Sequence, residues 1–280
     1  MNESTFHYDG YLVFTPVLIR TKNIPATNIP NIDEIISQLP EFHSGDPSAP
    51  AEGFEEMKIR KYIENDNKLS GAIKRELKDL TAVTYNVESY HEETAFVDQE
   101  RREVYVREVE SAEVYFFDSN IALLRGKQSI VNQAISAIQR VHSEEILIEN
   151  IEFTPDFMSH IYEEFNDVFS DNIIQPNEIS EVQFEGFDNI STMKIYSGDL
   201  KSELTNRYQN MSEGQINYIT VKYYIDNIDT AIQIQSDRLH VKASEGAISR
   251  MTDLARMIYS IYFCKRISNI AVEYEGVQTR

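Results

Sequence analysis

Arg125-Gly126-Lys127-Gln128-Ser129 joins an expected strand to an expected helix. Backbone N–H groups at a helix start, with the Arg125 and Lys127 cations beside them, suit a phosphate or another anion. A Walker-type phosphate loop needs a glycine five positions before Gly126, and Ile121 stands there, so nucleotide chemistry of that kind is excluded. The same five residues also read as a tight turn at Gly126 followed by a cap at Ser129. The histidines are His7, His43, His91, His142, His160 and His240, none in a His-x-His or His-Glu-x-x-His pair, so zinc-peptidase spacing is absent. His91-Glu92-Glu93 and His142-Ser143-Glu144-Glu145 place imidazoles near carboxylates, in stretches that read as solvated loops. Cys264 is the only cysteine; it can form no intrachain disulfide, and near a helix end it reads as a small buried hydrophobe. No Gly-x-Ser-x-Gly, dinucleotide loop, kinase or deaminase signature occurs, so a non-catalytic role with no cofactor is expected, the alternative being an enzyme whose site is assembled from distant residues without a motif.

Basic residues gather in three groups. Lys58, Arg60 and Lys61, then Lys74, Arg75 and Lys78, alternate with Glu55, Glu56, Glu64, Glu76 and Asp79 along an expected helix, as on a solvated helix face. Arg101, Arg102 and Arg107, joined by Arg125 and Lys127 if their strands are neighbours, form the better anion or nucleic-acid patch. Against this stands a formal charge of −20, which repels phosphate backbones at long range. Both halves of the chain are acidic.

These residues need elements to hold them. Val114 and Phe116 alternate ahead of Asp118-Ser119-Asn120, Ile121 and Leu123 alternate after it, and Val131, Ala134, Ile135, Ile138 and Val141 recur at helical spacing. The pattern is strand, turn, strand, helix. It returns as Ile232 and Ile234, the turn Ser236-Asp237-Arg238, Leu239 and Val241, then Met251, Leu254, Ala255, Ile258 and Ile261. The chain therefore reads as α+β, two pseudo-repeated halves of mainly antiparallel sheet covered by helices, spanning 1–143 and 144–280. The alternative is two unrelated α+β segments.

Further elements follow from periodicity. Tyr11 to Ile19 reads as a strand placed at an edge or bulge by Pro16. Ile24 to Pro30 is a connection, and a short helix starts at Asn31 or Asp33 and ends before Pro40. Residues 40–53 are the most loop-like stretch, a candidate for disorder. Phe54 to Leu80 reads as helical, with N-caps at Asn65, Asp66 or Asn67 for its second part. Thr81 to Tyr90 and Glu103 to Val109 read as half-buried strands. Thr154 caps a helix opening at Pro155 and carrying Phe157, Ile161 and Phe165 inward. Lys201 to Met211 is ambiguous. Asn217 to Ile225 alternates most clearly, Ile219, Val221 and Tyr223 on one face against Tyr218, Thr220, Lys222 and Tyr224. A short last strand is expected from Asn269 through Ile270, Val272 and Tyr274.

The paired strand-turn-strand-helix segments resemble the TATA-binding-protein-like fold. That resemblance implies a curved sheet with helices on its convex side, and phenylalanines beside the turns that wedge between base steps. Phe117, directly before its turn, would be such a residue, with Gln235 at the equivalent place in the second copy. A phenylalanine on a strand is otherwise a core residue.

The function expected from these observations is a binding or assembly module working through protein–protein contacts, with Tyr218 and Tyr224 on its contact face. The alternative is a nucleic-acid-binding protein using the curved sheet and Arg101, Arg102, Arg107, Phe117, Arg125 and Lys127. The opening residues show neither a basic nor an apolar targeting segment, and no stretch reaches eighteen apolar residues, so a cytoplasmic protein without membrane contact is expected.

Overall fold

The structure, a computed structural model, describes residues 11–22, 31–67, 69–97, 100–142, 144–169, 173–187, 190–196, 215–225, 228–243 and 253–278. The expectations on His7, Ile24 to Pro30, Lys201 to Met211 and Met251 lie outside these residues. In chain order the elements are β1 (Leu12–Thr21), α1 (Ile32–Ser37), β2 (Glu52–Met57), α2 (Ile59–Asn65), α3 (Gly71–Glu76), β3 (Thr81–Val97), β4 (Glu100–Phe116), β5 (Ile121–Gly126), α4 (Gln128–Val141), β6 (Ile146–Asn150), α5 (Pro155–Glu163), α6 (Phe165–Phe169), β7 (Ile174–Phe187), β8 (Ile190–Tyr196), β9 (Gln215–Ile225), β10 (Ile228–Gln235), β11 (Leu239–Ala243) and α7 (Asp253–Gln278). Helices are thus mixed with a large antiparallel sheet.

The chain divides into two units that interleave along the sequence: Met1–Pro16, Lys61–Lys78 and Asn150–Arg280 form one, and Val17–Arg60 with Asp79–Glu149 the other. In the second of these the strand order is β2-β3-β4-β5-β1. Val17, Ile19, Val83, Val114, Phe116 and Leu124 point one way from this sheet into a core with Ile130, Val131, Ala134 and Ile138 of α4. Those α4 residues recur at three- and four-residue spacing, so one helix face is buried, worth about 1.5–3 kcal/mol for each large side chain. Two backbone positions depend on glycine. A Cβ on Gly53 would lie 2.8 Å from the Phe42 backbone, where Phe42 N–H donates to the Phe54 carbonyl. Gly126 has φ +155°, and a Cβ there would lie 3.0 Å from the Ser111 carbonyl oxygen.

In the other unit the order is β1-β11-β10-β9-β7-β8, with Leu12–Phe14 the part of β1 that meets β11. The alternation of β9 holds: Ile219, Val221 and Tyr223 are buried, and the Tyr223 ring stacks on Phe263 of α7 at 3.8 Å between centroids. Thr154 caps α5 as expected, its Oγ1 accepting from Phe157 N–H at 3.2 Å, and Pro155 opens the helix. Pro16 falls just past the last residue paired with β11, and its carbonyl accepts from Ile151 N–H at 3.0 Å. The missing N–H of that proline therefore interrupts none of the pairs with β11.

Four expectations are corrected. Phe54 to Met57 belongs to β2: the i, i+3 spacing of Phe54 and Met57 is helical, but pairing with β3 overrides it and buries the two on opposite faces of the strand. The cap of α3 is Ser70, whose side chain accepts from Ile73 N–H at 3.3 Å, and not Asn65, Asp66 or Asn67. The expected strand after Asn269 is helix: α7 runs on to Gln278, since Ile267, Ile270, Ala271 and Tyr274 also fit helical spacing and no proline intervenes. Residues 40–51 are held by specific contacts to β2 and β3, described below, and Glu52 and Gly53 already lie in β2.

Candidate functional site

β3 and β4 are seventeen residues each and pair without a bulge from Thr81↔Phe116 to Val97↔Glu100. Their flanking strands are much shorter. β2 pairs with β3 only over Ala82 to Val87, and β5 with β4 only over Ala112 to Phe116. Among the described residues no strand pairs with the outer edges of β3 beyond Val87 or of β4 before Ala112, so the distal hairpin is a two-stranded arm. An isolated hairpin is marginal in water, and bare edges are templates for another strand.

The base is braced at Glu88. Its buried carboxylate accepts from Gly45 N–H at 2.8 Å, Ala51 N–H at 3.1 Å and Arg107 Nε at 2.6 Å. Glu88 N–H donates to the Ala51 carbonyl, Tyr90 hydroxyl to the Gly45 carbonyl at 3.0 Å, and Arg107 to Ser44 Oγ at 3.0 Å. Burial pushes the Glu88 carboxyl up, but the donors from Gly45, Ala51 and Arg107 outweigh it and hold it below the usual glutamate value. This clasp is why the 40–51 segment, with its Gly45, Pro47 and Pro50, lies down on the sheet.

Beyond the clasp the arm is open to solvent. One face carries Glu92, Thr94 and Phe96 of β3 opposite Tyr105, Glu103 and Arg101 of β4. Phe96 is 77%, Tyr105 58% and Val109 43% exposed, which makes three of the five large hydrophobics found exposed among the described residues. All three share this face, since Val109 stands opposite Glu88. Tyr105 hydroxyl donates to Glu92 at 2.7 Å across the strands, and that bond holds its phenol proton above the ordinary range. The other face carries His91 opposite Val106 and Glu93 opposite Val104, with His91 Nε2 3.0 Å from Glu93 Oε1. His91-Glu92-Glu93 is therefore strand and not loop, a correction to the histidine reading that extends to His142. That ring is buried at the end of α4, its Nε2 3.0 Å from the Ile35 carbonyl oxygen.

The expected cation patch comes apart. Arg101 and Arg102 lie exposed near the end of the arm, while Arg107 is tied to Glu88. Arg125 lies opposite Glu113 at the base, both nitrogens of its fork at 2.6 Å from the carboxylate, and Tyr115 hydroxyl donates to the same group. Burial acts to discharge Arg125, but the Glu113 carboxylate more than offsets it and keeps the guanidinium charged; burial beside Glu113 drives the Tyr115 phenol well above its ordinary value. Lys127 is exposed and bonded to Glu110 at 2.7 Å, which raises its affinity for the proton. The α4 N-terminus takes no side-chain cap, so Ser129 is not its cap, and Lys127 occupies the capping position. With six residue steps from Arg107 to Glu113, at about 3.3 Å per step, Arg125 stands roughly 20 Å along the ribbon from Arg107.

Phe117 is 2% exposed and belongs to the interior. Tyr218 is 8% exposed with its hydroxyl donated to Glu181, whereas Tyr224 is 38% exposed. These two share one face of β9 with Lys222, which is bound to Glu178. Cys264 is buried, and burial pushes its thiol up, away from the nucleophilic thiolate. Among the described residues no cluster of histidine, cysteine and carboxylate side chains could hold a metal ion, and no helix is long and apolar enough to cross a membrane.

The arm was the feature sequence reasoning missed. The signal lay in the β-branched and aromatic run Val104-Tyr105-Val106 amid the charges of Glu100 to Glu110. Neither a protein-family model nor a curated protein matches the chain.

Proposed function

We propose that the protein is a non-catalytic binding or assembly module acting through protein–protein contacts, and that the β3–β4 arm is its contact element. The observation that carries this reading is the arm itself: two unpaired edges beside exposed Phe96, Tyr105 and Val109 on one face. Soluble proteins ordinarily shorten, cover or bury such edges. Main-chain hydrogen bonds along an edge supply affinity, and side chains at alternate positions supply specificity. Tyr224 offers a second exposed aromatic on β9 for the same kind of contact.

Supporting the nucleic-acid alternative are the exposed Arg101 and Arg102; opposing it are the acidic neighbours Glu100, Glu103, Glu108 and Glu110 on the same strand. Duplication into two TATA-binding-protein-like halves is proposed on the shared strand-turn-strand order alone. The two hairpins differ in loop: Phe117 N–H reaches Ile121 across three residues, with Asn120 at φ 63°, while Gln235 N–H reaches Arg238 across two. A cytoplasmic setting suits the single, buried cysteine thiol.

The test replaces Phe96 and Tyr105 together by serine in the full chain. Affinity capture followed by mass spectrometry, with light scattering on the purified protein, reads association. Loss of association with unchanged circular dichroism is the expected outcome. Association undiminished in the double variant sinks the arm as contact element, and tight binding to DNA or RNA at low salt would favour the alternative.

A further inference from the structure

From the outer edge of β4 we infer that the arm's partner is a second copy of this chain, joined as an antiparallel β4–β4 pair about a two-fold axis through Tyr105. This rests on the reading of the arm as a contact element and names its occupant.

The order of residues along the edge decides it. From Arg101 to Val109 the sequence is Arg-Arg-Glu-Val-Tyr-Val-Arg-Glu-Val. A two-fold axis perpendicular to a sheet puts residue i opposite residue j of the other copy and j opposite i, on the same face, so i and j must both be odd or both even. With Tyr105 on the axis, Arg102 falls opposite Glu108, Glu103 opposite Arg107 and Val104 opposite Val106. Symmetry repeats each match, giving four opposite-charge pairs around a Val-Tyr-Val centre; just outside them Glu100 falls opposite Glu110, a like-charge match at the rim where Glu110 already carries Lys127 as its partner. The two neighbouring allowed registers hold fewer opposite-charge pairs. An axis through Val104 has none and sets Arg101 against Arg107 and Glu100 against Glu108, and one through Val106 has only Arg102 against Glu110, repeated by symmetry.

The other edge of the arm does not offer this. β3 from Glu88 to Val97 holds no lysine or arginine, and its centre, Glu92-Glu93, would face like charge or neutral residues in a symmetric pair. Geometry is also permissive on β4, because β5 reaches only to Ala112, opposite Gly126, and leaves the nine residues Arg101 to Val109 uncovered by any described strand. Arg107 keeps its contact with Glu88 within the chain while facing Glu103 of the second copy, since the guanidinium fork has five donors. The pair would extend each two-stranded ribbon into a four-stranded sheet, the size at which such a sheet becomes stable by itself.

Charge reversal tests this on the full chain by sedimentation equilibrium over a concentration series. The wild type is expected to dimerise. R102E and E108R, each made alone, turn two opposite-charge pairs into like-charge pairs and should each weaken the dimer by roughly tenfold or more. Mixing the two variants should restore it, because in the mixed dimer each introduced carboxylate faces an introduced guanidinium and the native Glu108 faces the native Arg102. In a separate measurement, Y105C should form an intermolecular disulfide on mild oxidation, since directly opposed residues have Cβ atoms about 4.5–5.5 Å apart; V109C, opposite Arg101, should not. A wild type that stays monomeric, dimers indifferent to the single reversals, or mixing without rescue each overturns the inference. If the chain is monomeric yet the serine double variant still loses a different protein, the second copy falls and the contact role of the arm stands.

Discussion

The two ends of the β3–β4 ribbon are made from the same two strands and live in opposite surroundings. At the base, Val83, Tyr85, Ala112, Val114, Tyr115 and Phe116 are buried, on both faces of β4. Beyond Glu88 the same strands expose phenylalanine, tyrosine and valine. Strand propensity does not distinguish the ends, because both are rich in β-branched and aromatic residues. What differs is the neighbours: β2 and β5 flank the base and stop, and Glu88 marks the boundary by tying Arg107, Gly45 and Ala51 together. Pairing holds the arm in shape, whereas packing holds the base.

The largest expected effect lies at the base. Phe116→Ala removes a fully buried ring and should cost about 3–5 kcal/mol in urea unfolding; a cost under about 1 kcal/mol would mean that the base is no better packed than the arm. Next, Arg125→Met leaves the Glu113 carboxylate with its guanidinium partner gone and should cost about 2–3 kcal/mol. Replacing Glu113 by Gln in the same chain should return part of that loss, which thermal unfolding of the wild type and the two variants would show.

Glu88 gives a smaller effect with a defined pH signature. Its carboxyl is held below the ordinary 4.5, so its contribution to stability is fully present above that pH and is lost as pH falls through the lowered value. Glu88→Gln should therefore lower the melting temperature at pH 7 and flatten the acid limb of the stability curve below about pH 4.5. A parallel acid limb in wild type and variant would remove Glu88 as the boundary brace. The smallest effect belongs to the arm: Phe96→Ser should change unfolding by no more than about 0.5 kcal/mol, since the ring is largely in water already.

Much of this architecture was legible in residue order. The turn Asp118-Ser119-Asn120 lies where alternation breaks, Thr154-Pro155 announces α5 by cap chemistry, and β9 alternates without exception from Ile219 to Tyr223. The arm escaped because stability there comes from cross-strand pairing, which leaves no one-sided apolar pattern in residues such as His91-Glu92-Glu93-Thr94. The end of α7 escaped for a different reason: Ile270, Val272 and Tyr274 alternate as in a strand, while Ile267, Ile270, Ala271 and Tyr274 also fit a helix, so the run satisfies both periods. Of the candidate site, Arg101, Arg102 and Arg107 do fall on the arm, but spacing alone could not reveal that Arg125 is sequestered by Glu113. Nor could it reveal that Phe117 belongs to the interior and that Tyr218 is buried, its hydroxyl taken up by Glu181.

The interleaving of the two units bears on how the chain can be cut. A fragment starting at residue 144 would lack Leu12 to Phe14, whose backbone pairs with Leu239 to Val241, and would lack the Lys61–Lys78 segment whose Glu76 carbonyl accepts from Lys265 Nζ. Excision would thus bare β11 along one side. Expression screens, deletion mapping and domain transplants should keep Leu12 to Phe14 and Lys61–Lys78 together with the segment from Asn150 onward.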